Sequence, residues 1–159
     1  MKIFNFKKKK IIIIYLIAIK LLFVAIQFLP ANKPKIIVNN PNDLIKTTAA
    51  PKNIALILKT TCYDCHSNET TMPWYANFAP INWFIYKHVN DGRKELNFSN
   101  WNTLNKVEKV EKLDDILTMV SGEEMPLKKY TLLHPKAKLS KEDREAIINW
   151  ADKSLDSIY

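Results

Sequence analysis

Residues 61–68, TCYDCHSN, decide how the rest of the chain is read. They hold both cysteines of the 159-residue protein, Cys62 and Cys65, and His66 follows the second directly. Three chemistries use such a group: a zinc site, a redox dithiol, and covalent attachment of a haem. The surrounding sequence distinguishes them.

The formal charge of +8 sits mostly at the N-terminus. Residues 1–30 carry six lysines and no acid, leaving 18 basic and 16 acidic residues, a balance of +2, for the remainder. A nucleic-acid surface needs basic residues clustered on the folded part, so no nucleic-acid partner is expected. After the run Lys7 to Lys10 comes IIIIYLIAIKLLFVAIQFL, Ile11 to Leu29. As helix this run reaches about 28 Å, close to the hydrocarbon thickness of a bilayer. Lysines in front of it put the N-terminus in the cytoplasm. Lys20 is costly in mid-span and is eased only by snorkelling. IQFLPANKP offers no small-x-small cleavage site, which favours an uncleaved anchor over a signal segment.

The organisation expected is therefore a basic cytoplasmic segment (1–10), a single transmembrane helix or signal segment (11–29), a linker (30–50), and a domain (51–159) in the periplasm at the inner membrane. The linker expectation rests on four prolines between Pro30 and Pro51, which lack an N–H and suit neither helix interior nor central strand. Within the domain, Pro51 can open a helix through KNIALILKT. INWFIYKHVNDGRKEL reads as a second helix with Gly92 as its break or cap. Leu104, Val107, Val110, Leu113, Leu117 and Val120 recur at helical spacing up to Gly122. A loop covers EEMPLKKYTLLHPKAKL, and Ser140 caps a last helix with Asp143 three residues on. No strand pattern stands out, so the fold class expected is all-α, four helices with long loops around something other than side chains.

Cys-x-x-Cys-His is the attachment signature of c-type haem. Each thiol forms a thioether with one vinyl group of the same porphyrin, and the adjacent histidine supplies a nitrogen to the iron. Zinc needs four ligands, and only His88 and His134 stand by as further soft partners. A thioredoxin-like dithiol needs a βαβ context. One covalent haem c is the cofactor expected. For the opposite face of the iron the candidates are Met72, Met119, Met125, His88 and His134. Met72 is too near His66 in sequence to wrap round the porphyrin, and Met119 falls in a helix as core filler. Met125, in GEEMP before a stiffening proline, is the expected distal ligand, with His88 the second choice.

CYDCHSNETTMPWY, HVNDGRKELNFSNW, GEEMPLKKYTLLHPKAKLS and EDREAIINW together resemble a bacterial family known as the haem-binding domain, a relative of the monohaem cytochromes c. The resemblance runs from about Cys62 to Trp150 in the same order. It implies haem on Cys62 and Cys65, His66 as axial ligand, and a cytochrome c-like helical domain around it. It also implies haem-pocket roles for Trp74, Tyr75, Arg93 and Trp101, with Arg93 pairing with a propionate. The function expected is a membrane-anchored single-electron carrier serving redox proteins in or at the membrane, with no catalytic residues. The alternatives are a haem-based sensor with an open distal position and an accessory subunit of a respiratory or peroxidase complex.

Overall fold

The computed structural model describes residues 2–48 and 50–158, with side chains from Lys8 onward. In chain order the helices are α1 (Lys2–Ile26), α2 (Leu44–Thr47), α3 (Lys52–Thr61), α4 (Tyr63–His66), α5 (Ile81–Glu95), α6 (Lys106–Ser121), α7 (Lys128–Leu133) and α8 (Lys141–Ile158). Short 3-10 turns cover Trp74–Asn77, Phe98–Thr103 and Pro135–Ala137. Among the described residues every regular element is helical, so the all-α expectation holds. The chain forms two compact units, Met1–Lys33 with Pro73–Lys87, and Pro34–Met72 with His88–Tyr159.

The first unit is built on α1. The Gln27 amide ties it across the sequence, donating to the Ala79 carbonyl (3.1 Å) and accepting from the Ala79 N–H (2.9 Å). The expected membrane-spanning helix over 11–29 finds no support: among the described residues no helix is long and apolar enough to cross a membrane. The reason is physical. Only Ile11 to Ile26 of the apolar run is helical, about 24 Å against the ~30 Å of a hydrocarbon core, and Lys20 interrupts it. Gln27 to Leu29 leave the helix through a turn. The consecutive residues Ile11, Ile12, Ile13 and Ile14 are all exposed, so this turn of α1 is apolar on every side.

The second unit carries the core. α6 packs along α8, and α3 packs on α8 and α4. Leu58, Phe98, Leu113 and Ile147 are fully buried at this junction, each worth about 1.5–3 kcal/mol of transfer free energy. The helix ends follow their capping residues. Asn105 accepts from the Glu108 N–H (3.0 Å) while Glu108 accepts from the Asn105 N–H (2.8 Å), a reciprocal pair that starts α6. Ser140 accepts from the Asp143 N–H (3.0 Å) at the start of α8, as its sequence signal predicts. Arg144 of α8 donates to the Val120 carbonyl at the end of α6. Two expectations differ from what is found. The loop 123–139 contains α7 and a 3-10 turn, and α5 runs straight through Gly92.

The stretch read as a linker is packed into this unit from Pro34 onward. Leu44 is completely buried in the main core, and Asp43 is 1% exposed. Asp43 caps α2 through the Ile45 N–H (3.0 Å) and accepts the Tyr63 hydroxyl on both carboxylate oxygens (3.1 Å each). Burial and that neighbouring carboxylate push the Tyr63 phenol well above its ordinary range, so it stays a donor. Asp43→Ala should therefore cost about 1–3 kcal/mol, by stranding a buried hydroxyl and removing a cap. Denaturant melts should show a lower midpoint with an unchanged slope, and Asp43→Asn, which keeps an acceptor, should lose less. An Ala variant as stable as the parent would mean that the 34–48 segment anchors nothing.

Candidate functional site

The Cys62–His66 segment is a single helical turn following α3. The Cys62 carbonyl accepts from the N–H groups of both Cys65 (3.2 Å) and His66 (2.9 Å). That geometry sets positions i, i+3 and i+4 on one face, so both sulfurs and the imidazole look the same way. They look into a cavity of about 380 Å³, within the size range of ligand pockets. Leu58, Ile116, Val120, Leu139 and Ile147 give it apolar walls.

Each residue of the turn is fixed by a different partner. Tyr63 is held by Asp43 and stacks on Phe98, ring centres 5.2 Å apart at 11°. Asp64 accepts from the Thr71 N–H (2.9 Å) and from the Tyr130 hydroxyl of α7 (2.7 Å). Cys65 lies against α5 so closely that a Cβ on Gly92 would meet its carbonyl oxygen at 2.8 Å. His66 Nδ1 is 3.1 Å from the Leu96 carbonyl. A carbonyl only accepts, so Nδ1 carries the proton and Nε2 keeps its lone pair for a ligand.

Protonation agrees with this arrangement. Burial holds His66 below the ordinary histidine value, against the opposing pull of hydrogen bonds to Leu96 and Gly92. The imidazole is neutral at pH 7, as an iron ligand must be. Burial, helped by Cys65, pushes the Cys62 thiol up to about 12. Burial and Asp64 push Cys65 up to about 11, against the pull of Arg93. Both are thiols at neutral pH, which does not suit an activated dithiol. The two cysteines are not bonded to each other. Among the described residues no group of three or more His, Cys, Asp and Glu side chains is arranged to hold a metal ion.

The remaining sequence-derived candidates divide. Met125 and His88 line the cavity. Met125 stands in a loop that turns at Glu123 (φ 56°), and the N–H groups of Glu124 and Met125 both donate to the Met119 carbonyl (3.0 Å each). Met119, read as core filler, lines the cavity too, as does Tyr130, which sequence reasoning missed. Helical spacing was the signal for Met119 and none marked Tyr130, and spacing does not report on a non-protein neighbour. His134 stacks on Tyr130, ring centres 4.3 Å apart, and neither it nor Met72 lines the cavity. Trp74 and Tyr75 belong to the first unit, while the cavity is lined by residues of the second. Trp101 is buried in the main core instead. Arg93 points its Nε to the Ser67 carbonyl (2.7 Å), Nη1 to the Lys35 carbonyl (2.6 Å) and Nη2 to Thr70 (2.8 Å). Its donors tie down backbone, and it does not line the cavity.

The donor set fits a haem: two thiols and a neutral imidazole on one face, an apolar cavity before them, and a methionine in its wall. The family described as Haem-binding domain matches residues 21–153, and the chain belongs to that family. No curated protein and no solved structure matches it significantly.

Two outcomes follow for the haem-free chain. Gly92→Ala should destabilise by about 1–3 kcal/mol, because backbone rather than a flexible side chain meets the new methyl. Loss of haem incorporation should accompany it, and an unperturbed variant would show that α5 has room to spare. The second outcome concerns pH. The buried His66 binds its proton less readily than in the unfolded chain, so stability falls as pH drops through about 6.5. The thiols keep their protons beyond their ordinary value of 9.0, so stability falls again as pH rises through it. Melts against pH should show a plateau between the two, and His66→Gln should remove His66's contribution to the acid slope.

Proposed function

From membership of that family, we propose that the chain is a c-type haem protein carrying single electrons. In this reading one haem is joined by thioethers to Cys62 and Cys65. His66 through Nε2 and Met125 would hold the iron, with His88 the second choice in place of Met125. One observation carries it: a single helical turn presents two thiols and an imidazole, whose Nδ1 is held by the Leu96 carbonyl, to an apolar cavity that also holds a methionine.

One-electron exchange at iron is the chemistry the haem supplies when bound. Every other task falls to the chain. Each S–H adds across one vinyl group, the hydrogen passing to carbon, so no atom is lost and no oxidant is needed. The bond to Leu96 holds the His66 ring so that Nε2 is aimed without rotation. Leu58, Ile116 and Ile147 keep water from the site, and a methionine thioether raises the reduction potential. We assign the chain no catalytic step of its own.

The location proposed is the periplasmic face of the inner membrane, where α1 tethers the protein beside redox partners. Support comes from the lysines that lead α1 and from its turn Ile11 to Ile14, apolar on every side, which needs a non-aqueous cover. Alkaline washing of membranes should leave the protein bound, and release would remove the tether from the proposal.

Attachment and ligation are tested separately. Haem colour should survive denaturation and acid–acetone extraction, and Cys62→Ala with Cys65→Ala should abolish it. Met125→Ala should lower the potential by about 0.1 V or more, since axial ligands set it strongly, and should let carbon monoxide bind fast. His88→Ala should change neither. A reduced wild-type protein that takes up carbon monoxide as readily as Met125→Ala would replace the carrier by a haem-based sensor.

A further inference from the structure

The segment Leu127–Lys141 carries five lysines and no acid. Lys141 is 3.9 Å from Glu145 in an exposed pair. Lys128, Lys129, Lys136 and Lys138 are exposed, and none of their four ammonium groups has an ion-pair or hydrogen-bond partner among the described residues. Four like charges within eleven residues repel one another, and no carboxylate pairs with them; Asp64 is taken by the Tyr130 hydroxyl, and Asp91, Glu95 and Asp115 line the cavity. Beside them Leu132 is 82% and Leu133 66% exposed. α7 and the 3-10 turn that follows pack together, so these side chains share one region of surface.

The same segment forms part of the cavity. Leu127, Tyr130 and Leu139 line it, and Tyr130 stacks on the half-buried His134. The segment therefore carries aromatic rings from the cavity wall outward and a partnerless basic, apolar surface around them. We infer that residues 127–138 are the docking surface for an electron-exchange partner, a protein whose own redox edge is ringed by carboxylates. This rests on the carrier reading. A second copy of the chain is disfavoured, because it would set four lysines against four lysines. Acidic side chains meeting these lysines steer encounter and orient the two redox centres, while the exposed leucines supply the apolar centre of a small, short-lived contact.

The test uses the full-length haem protein in detergent and measures its reduction by a reduced plant-type ferredoxin, an acidic one-electron protein. The variant K128E/K136E is compared with K52E/K153E, which makes the same charge change on α3 and α8. At low ionic strength the first should slow the second-order rate by about tenfold or more and flatten its salt dependence, given the usual size of electrostatic steering. The second should change it less than about twofold. Equal effects of the two pairs, or none, would overturn the docking surface. So would an unchanged rate in K128E/K136E combined with weaker partition into phosphatidylglycerol vesicles, which would assign the lysines to lipid. Hexaammineruthenium(II), a small cation, separates the two levels of failure. A wild-type haem that it cannot reduce defeats the carrier reading, and a haem that it reduces while ferredoxin ignores both charge reversals defeats only the surface.

Discussion

The site depends on how closely the backbone of α5 approaches the turn that holds Cys65. A side-chain carbon on Gly92 would lie 2.8 Å from the Cys65 carbonyl oxygen, so only a residue without one permits the contact. The neighbours of Gly92 then come into place. Arg93 reaches the Ser67 carbonyl and Thr70, while Leu96, one turn on, presents its carbonyl to His66. One turn of α5 thus sets the distance, the clamp and the ring orientation together. Packed interiors do not deform smoothly, so a shift at Gly92 propagates to all three.

This also explains why the family stretches belong together. Asn68 donates its backbone N–H elsewhere than to helix: Ser99 accepts it at 2.9 Å, and the Asn68 side chain accepts from Asn97 at 2.9 Å. Glu69 pairs with Lys59 at 3.0 Å, and burial alone would have raised its carboxyl, which that lysine and Asn40 instead hold below the ordinary range. HSNET, DGRKEL and NFSNW are thus three faces of one hydrogen-bonded frame around the cysteine turn. Arg93, expected at a propionate, belongs to the frame, because its planar fork matches two backbone carbonyls and a hydroxyl already within reach.

Much of the fold was legible because its signals are local. Pro51 before α3, Asn105 and Ser140 at the starts of α6 and α8, and the helical recurrence from Val107 to Val120 each act within a few residues. The helical turn that sets Cys62, Cys65 and His66 on one face is local in the same way. What stayed hidden depends on long-range partners. Asp43 in a proline-rich stretch looks like solvent-exposed spacer until Tyr63, twenty positions away, is seen donating to it. Gly92 looks like a helix break because propensity says nothing of what lies across from it. α7 is six residues long and has no side-chain cap, so no start signal marks it. The reading of α1 erred differently, by treating Gln27 to Leu29 as part of one apolar helix when the Gln27 amide is committed to the Ala79 backbone.

The two sides of the cavity are built to different standards, and this bears on function. On the cysteine side, Tyr63, Asp64, Cys65 and His66 each meet a separate partner from a distant segment. On the methionine side, the loop from Gly122 to Leu127 is pinned, among the described residues, by local backbone bonds alone: Gly122 to Thr118, Glu123 to Val120, Glu124 and Met125 to Met119, and the Leu127 carbonyl to Tyr130 and Thr131. A second thioether, that of Met119, stands in the same wall. Strain from any change at the centre of the cavity will be absorbed where the fewest contacts must break. His66 is therefore the fixed reference, and Met125 is where the chain can yield. A carrier needs that loop to hold through both oxidation states, while a sensor needs it to open. The distinction lies in the stability of six residues, not in the cysteine turn.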